Sequence, residues 1–199
     1  MRMLYPIVIF MAMRTWGVFH SWMAAFSTKK QARRIFGEAI DRYYRLIFIS
    51  IALLTLMPIL AMVAFLPSRL LWVIPTPWRT LTFSVQFLAL VGILVTVFQT
   101  DLLAFAGIKQ LSDPKVERKN ELIRDGIYGI VRHPMYIFSL ILFWLFPFVT
   151  DLILAFFAAT TLYFLIGTIP EENKLVEIYG EEYERYQEEV PRIIPGIKF

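Results

Sequence analysis

The sequence predicts an all-α protein: an integral membrane helical bundle of about five transmembrane helices with a C-terminal cytoplasmic amphipathic helix. Three observations predict it. Of the 199 residues, 58% are hydrophobic and only 18% charged, a balance outside that of ordinary soluble domains. Uncharged runs recur at about 20 residues, the length a helix needs to cross the hydrocarbon core. Lysines and arginines bracket those runs, so the net charge of +4 reports topology and nucleic acid is not an expected partner. With no cysteine in the chain, a disulfide scaffold, a thiolate zinc site, an iron–sulfur cluster and a cysteine nucleophile are excluded.

The elements follow in order. A first span is expected over Leu4 to Phe26, interrupted by Arg14 and His20; Trp16, Phe19, Trp22 and Phe26 are bulky where a cleaved signal peptide needs small residues. The second, Leu46 to Pro67, holds no ionisable side chain, and Pro58 is tolerable because neighbouring groups re-satisfy the freed carbonyl. The third, Thr80 to Thr100, is expected to continue past Asp101 to about Phe105. Met135 to Ile169 is apolar except for Asp151, which reads as a tight hairpin of two spans with its turn at Pro147 to Asp151. From Glu171 to Val190 the tail reads as one helix, because Leu175, Tyr179, Tyr183, Tyr186 and Val190 recur at helical spacing. Pro191 ends it. The whole is expected to form a single domain, with the first three spans in 1–106 and a loop, the hairpin and the tail helix in 107–199.

Orientation comes from the short loops. Lys29, Lys30, Arg33, Arg34, Arg42 and Arg45 lie between the first two spans, and Lys109, Lys115, Arg118, Lys119, Arg124 and Arg132 between the third and fourth. The tail adds Lys174, Arg185, Arg192 and Lys198, against Arg2, Arg69 and Arg79 on the other side. The N-terminus is therefore expected outside, and the C-terminus and any site for a water-soluble cosubstrate on the cytoplasmic face.

Chemistry concentrates at two points. Asp125-Gly126-Ile127-Tyr128-Gly129-Ile130-Val131-Arg132-His133-Pro134-Met135-Tyr136 runs into the fourth span. Pro134 suits a first helical turn, which sets Arg132 and His133 before a helix N-terminus that favours a carboxylate. An anchoring arginine, a belt tyrosine and a capping histidine explain the same residues. Glu171 and Glu172 follow Pro170 where the fifth span ends, and the hairpin returns them to the face of His133. A carboxylate at a membrane edge is costly unless paired, and a cationic ligand would pair it; complementing a helix dipole is the other reading. Together these groups match a ligand carrying an ammonium, a carboxylate and a sulfonium, as S-adenosylmethionine does, with tyrosine faces to attract the onium. His20 is either a functional intramembrane group or a helix-to-helix hydrogen bond. Two distant histidines with no third ligand do not suggest a metal site.

Arg132-His133-Pro134-x-Tyr136, Glu171-Glu172-x-x-Leu175, Tyr179-Gly180-x-x-Tyr183-x-x-Tyr186 and Val190-Pro191-Arg192-x-x-Pro195 resemble the C-terminal signature of the isoprenylcysteine carboxyl methyltransferase and phospholipid methyltransferase superfamily. The resemblance covers roughly Leu122 to Pro195. It implies a multi-span methyltransferase with S-adenosylmethionine in a cytoplasmic pocket closed by the C-terminal helix. By motif position, Tyr128, His133, Pro134, Tyr136, Glu171 and Glu172 would contact the cofactor, Arg132 is a further expected cofactor contact, and Arg192 would lie near the acceptor entrance. Arg192 and Glu172 are the candidate catalytic residues, a glutamate receiving the proton that a neutral thiol or amine must lose.

His20-Ser21 and Phe143-Trp144-x-x-Pro147-x-x-Thr150 are more similar to the branch holding methanethiol S-methyltransferase and the membrane proteins associated with nitrite and nitric oxide reductases. That branch implies a small thiol or lipophilic methyl acceptor, with membrane lipids as surroundings. Where the family commonly has a glycine two positions after the motif tyrosine, this chain has Phe138, which is expected to narrow the pocket. A non-catalytic membrane partner or assembly factor retaining the scaffold is the alternative. Transport has less support, since Arg14, His20 and Asp101 are few and scattered.

Overall fold

The computed structural model describes residues 4–113 and 121–197; Arg2, Lys115, Arg118, Lys119 and Lys198 of the charge pattern lie outside the described residues. Nine α-helices are found among them: α1 (Tyr5–Ala24), α2 (Phe26–Phe36), α3 (Ile40–Phe65), α4 (Trp78–Gln99), α5 (Leu102–Phe105), α6 (Lys109–Ser112), α7 (Pro134–Trp144), α8 (Asp151–Tyr179) and α9 (Glu181–Glu189). A 3₁₀ turn covers Gly126–Gly129, and two short strands, β1 (Leu70–Val73) and β2 (Phe148–Thr150), pair. Helices α3, α4 and α8 are each long and apolar enough to cross a membrane, and α3 runs through Pro58 as expected.

Several expected boundaries move. The third predicted span does not continue to Phe105: α4 stops at Gln99, Asp101 adopts φ 66°, and α5 starts afresh. Left-handed backbone is costly for a residue with a Cβ and cannot propagate a right-handed helix. The fourth predicted span is the short α7, whose 11 residues rise only about 17 Å, little more than half the hydrocarbon thickness of about 30 Å. At the expected hairpin turn stands β2. Asp151 opens α8, its Oδ1 accepting hydrogen bonds from the backbone N–H groups of Arg69 (3.0 Å) and Leu152 (2.9 Å).

Helix α8 continues through Pro170 to Tyr179, so the tail does not begin a separate helix at Glu171. Its 29 residues span about 43 Å. Counted from Asp151, the hydrocarbon thickness is used up near Pro170, and Glu171 and Glu172 belong to the part beyond it. The break falls at Gly180, where φ is +59°, a conformation that glycine adopts without steric cost. The predicted apolar face is real but divided between two helices. Tyr183, Tyr186 and Val190 form a buried cluster, against which Leu175, Val176 and Tyr179 of α8 pack together with Leu122.

The chain folds as two compact units. The first comprises the described residues within 1–71, 102–120 and 150–163. Here α1 packs on α3, with α2 against both and α6 against α3. Trp16 Nε1 donates to Thr55 Oγ1 (3.1 Å) and to the Ala52 carbonyl (3.2 Å). His20 Nδ1 lies 2.7 Å from the Tyr163 hydroxyl, and Gly17 admits the Tyr163 ring, since a Cβ there would stand 2.6 Å from Cδ2. His20 thus makes a helix-to-helix hydrogen bond, to a tyrosine.

The second unit comprises the described residues within 72–101, 121–149 and 164–199. Its main packing is α4 against α7. Ala89, Gly92 and Thr96 form a buried stripe of small residues on α4, the kind of surface that lets membrane helices approach closely. Phe138 of α7 presses into it: a Cβ on Gly92 would stand 2.6 Å from Phe138 Cζ. Gln86 Nε2 adds a hydrogen bond to the Leu142 carbonyl at 2.7 Å. The phenylalanine that departs from the family pattern is therefore seated against a glycine of α4.

Candidate active site

All the candidate residues lie in the second unit. Pro134 occupies the first turn of α7, where its missing N–H is no loss, and this fixes Arg132 and His133 just before the helix. Their backbone N–H groups are already committed: Arg132 N donates to the Pro191 carbonyl (2.9 Å) and His133 N to the Arg192 carbonyl (3.0 Å). The segment after α9 therefore pairs with the start of α7. These two N–H groups are therefore spent within the protein.

At the centre is Glu172, whose side chain is 3% exposed. Oε1 accepts from Arg132 Nε (2.8 Å) and His133 Nε2 (3.0 Å); Oε2 accepts from Arg132 Nη2 (3.2 Å) and Gln187 Nε2 (3.0 Å). Two carboxylate oxygens offer about four lone-pair positions, so the group is saturated. Arg192 Nε stands 3.2 Å from Oε2 but lacks hydrogen-bond geometry to it. Burial alone would raise the Glu172 pKa, but hydrogen bonds from His133 and Arg132, with the Arg132 charge, outweigh it and hold the group at about 2. With its acceptor positions filled and its pKa held low, Glu172 has little proton affinity at neutral pH, which weighs against the proton-accepting role expected of it.

Arg132 is equally committed. Besides its two bonds to Glu172, its Nη1 donates to the carbonyls of Gln187 (2.8 Å) and Val190. Four of its donor positions are therefore spent inside the protein, and its side chain is 3% exposed.

Glu171 differs sharply from its neighbour, because adjacent residues on a helix point about 100° apart. It is 45% exposed. One oxygen accepts from the Tyr136 hydroxyl at 2.7 Å, and the same oxygen lies 3.7 Å from His133 Nδ1. His133 thus stands between the two glutamates. Its ring stacks on Tyr136 at 5.3 Å between centroids, and Tyr136 stacks on Phe164 at 4.5 Å. Tyr128 contributes its backbone carbonyl, which accepts from the Tyr186 hydroxyl at 2.7 Å. Burial, and then the charge of Glu171, push the Tyr128 phenol up to about 12, so it remains a donor at neutral pH.

The structure therefore brings together Arg132, His133, Pro134, Tyr136, Glu171, Glu172 and Arg192, with Tyr128 alongside. Sequence reasoning missed Gln187 and Phe164. Gln187 is a lone amide beside the apolar positions of the tail, with no spacing that marks it, and Phe164 sits in an unbroken apolar run.

Fold and site together define a helical membrane protein with a paired-glutamate, histidine and arginine cluster where an apolar helix leaves the hydrocarbon. The profile of the phospholipid methyltransferase family matches residues 81–182, and the chain belongs to that family. It is similar to the methanethiol S-methyltransferase of Pseudomonas deceptionensis, 39% identical over 109 residues, which covers 53% of this chain and 42% of the relative. Methanethiol S-methyltransferase 1 of Bradyrhizobium diazoefficiens is 28% identical over 197 residues, 95% of this chain and 66% of the relative. The protein-S-isoprenylcysteine O-methyltransferase of Schizosaccharomyces pombe is 30% identical over 131 residues, 54% of each. The chain thus spans less than two thirds of the length of these relatives. No solved structure matches.

Proposed function

We propose that this chain is an S-adenosylmethionine-dependent integral-membrane methyltransferase acting on a small thiol or another lipophilic acceptor. The observation that carries the reading is the meeting of Glu171, His133 and Tyr136 around one exposed carboxylate, in a chain similar to proteins named as thiol and isoprenylcysteine methyltransferases. The proposal includes five membrane crossings, the fourth made by α7 together with the non-helical segment that leads to β2, an outer N-terminus and a cytoplasmic site and C-terminus, as the lysine and arginine bias favours.

The residues fit the cofactor in the chemistry they offer. Glu171 keeps acceptor capacity and solvent access for an ammonium, and Arg192, 27% exposed, is the cation with room left for a carboxylate. S-Adenosylmethionine supplies, when bound, an electrophilic methyl group on a sulfonium. Tyr128, protonated at neutral pH, offers a hydroxyl donor to a polar group of the ligand. The cluster of Tyr183, Tyr186 and Val190 packs behind the site and keeps water from that side. Excluding water matters because attack by a thiolate on a sulfonium neutralises charge, which solvent opposes. Alignment of the two reactants can supply about 7–11 kcal/mol of the barrier reduction.

The test offers methyl-labelled S-adenosylmethionine to the detergent-solubilised protein with a panel of small thiols, prenylcysteines and lipid amines. Label is expected in the thiol class. No transfer to any class, with no saturable cofactor binding, would refute the reading and leave the scaffold as a non-catalytic membrane partner.

A further inference from the structure

We infer that Arg132 and Glu172 are positioning residues rather than ligand contacts, and that the adjacent glutamates divide the work: Glu172 clamps the protein to itself and Glu171 alone meets the cofactor's cationic end. The inference rests on the methyltransferase reading of the same site and deepens it.

The clamp joins three stretches of chain. Glu172 belongs to α8, Arg132 and His133 precede α7, Gln187 lies in the last turn of α9, and Val190, Pro191 and Arg192 form the segment that leaves it. Glu172 receives four hydrogen bonds from these stretches, and Arg132 returns two to the carbonyls of Gln187 and Val190. Backbone pairing of Arg132 with Pro191 and of His133 with Arg192 runs beside it. An ammonium would find no acceptor position left on Glu172 and would have to displace a guanidinium fork, the bidentate pairing that carboxylates hold most strongly.

What the clamp fixes is the imidazole. With Nε2 held by Glu172, the ring is stacked on Tyr136 and its Nδ1 edge lies towards Glu171. Tyr136 holds Glu171 from the other direction through its hydroxyl. The exposed carboxylate is thereby preorganised by groups that do not need to move when a ligand arrives.

This division predicts a pattern that a direct-contact role for Glu172 does not. Removing one partner of a buried ion pair strands the other charge, whereas neutralising both leaves no unpaired charge behind. The full chain in detergent is compared as wild type, Glu172→Gln, Arg132→Gln, the double variant and Glu171→Gln, with saturation binding of labelled S-adenosylmethionine and thermal midpoint as readouts. Each single clamp variant is expected to bind more weakly, and the double variant to bind at least about tenfold better than Glu172→Gln alone. Glu171→Gln is expected to lose about tenfold to a hundredfold in affinity, one charge-assisted hydrogen bond, while keeping the wild-type midpoint. A double variant no better than Glu172→Gln, or wild-type affinity in Glu171→Gln, overturns the inference. Clamp variants that fail to fold show the structural part that the inference gives Arg132 and Glu172, and wild-type affinity in Glu171→Gln still overturns it. Wild-type protein without saturable binding sinks instead the methyltransferase reading.

Discussion

The seating of Phe138 against Gly92 makes a measurable link between helix packing and the site. In Gly92→Val the new Cβ would stand 2.6 Å from Phe138 Cζ and 2.7 Å from Cε1 and Cε2. Carbon atoms rest at about 3.5–4.0 Å, so α7 must retreat by about 1 Å or Phe138 must leave its rotamer. Overpacking of this kind costs about 1–3 kcal/mol, and valine recovers only about 0.4 kcal/mol of glycine's helix penalty. The consequence reaches His133 and Tyr136, at the N-terminal end of the helix that is displaced. A misplacement of about 1 Å near reacting groups costs about a hundredfold in rate. Gly92→Val is therefore expected to lower both the thermal midpoint in detergent and, by about a hundredfold, the rate of the proposed methyl transfer. Gly92→Val/Phe138→Ala should recover at least about tenfold of that rate, because the truncated side chain vacates the space. Wild-type transfer by Gly92→Val, or no recovery in the double variant, would refute the packing argument.

Two further outcomes follow from the electrostatics and the intramembrane polar contacts. Because Glu172 is held at about 2 in the folded protein against an ordinary 4.5, its stabilisation is complete above about pH 4.5 and is lost as pH falls towards 2. At about 1.4 kcal/mol for each pH unit, roughly 3 kcal/mol is at stake, so the thermal midpoint should hold between pH 7 and 5 and fall between pH 4 and 3; a flat profile down to pH 3 contradicts the ion-pair geometry. Tyr163→Phe removes the hydroxyl 2.7 Å from His20 and should lower stability by about 0.6–1.7 kcal/mol, the range for hydrogen bonds between membrane helices, as followed by thermal denaturation in detergent. An unchanged midpoint would mean that His20 finds an equivalent partner.

Charge and hydropathy alone located the apolar helices and the two charged stretches of the site, because the cost of placing ionisable groups in hydrocarbon is written residue by residue along a chain. Arg132, His133, Tyr136, Glu171 and Glu172 were legible for that reason: each sits at the edge of an apolar run. Order and spacing of the four motif blocks were enough to name the family. The division between Glu171 and Glu172 was not legible. The two are adjacent and chemically identical, and only the turn of α8 sends one into a nest of donors and the other towards solvent. Gln187 joined the site only because Gly180 breaks the tail and the segment after α9 pairs with the start of α7. The same holds for Phe138, whose significance depends on a glycine 46 positions earlier. Local sequence determines where a helix is stable and where a charge is affordable; which side chain meets which is decided by packing between segments distant in the chain, where steric fit and hydrogen-bond saturation do not reduce to composition or period.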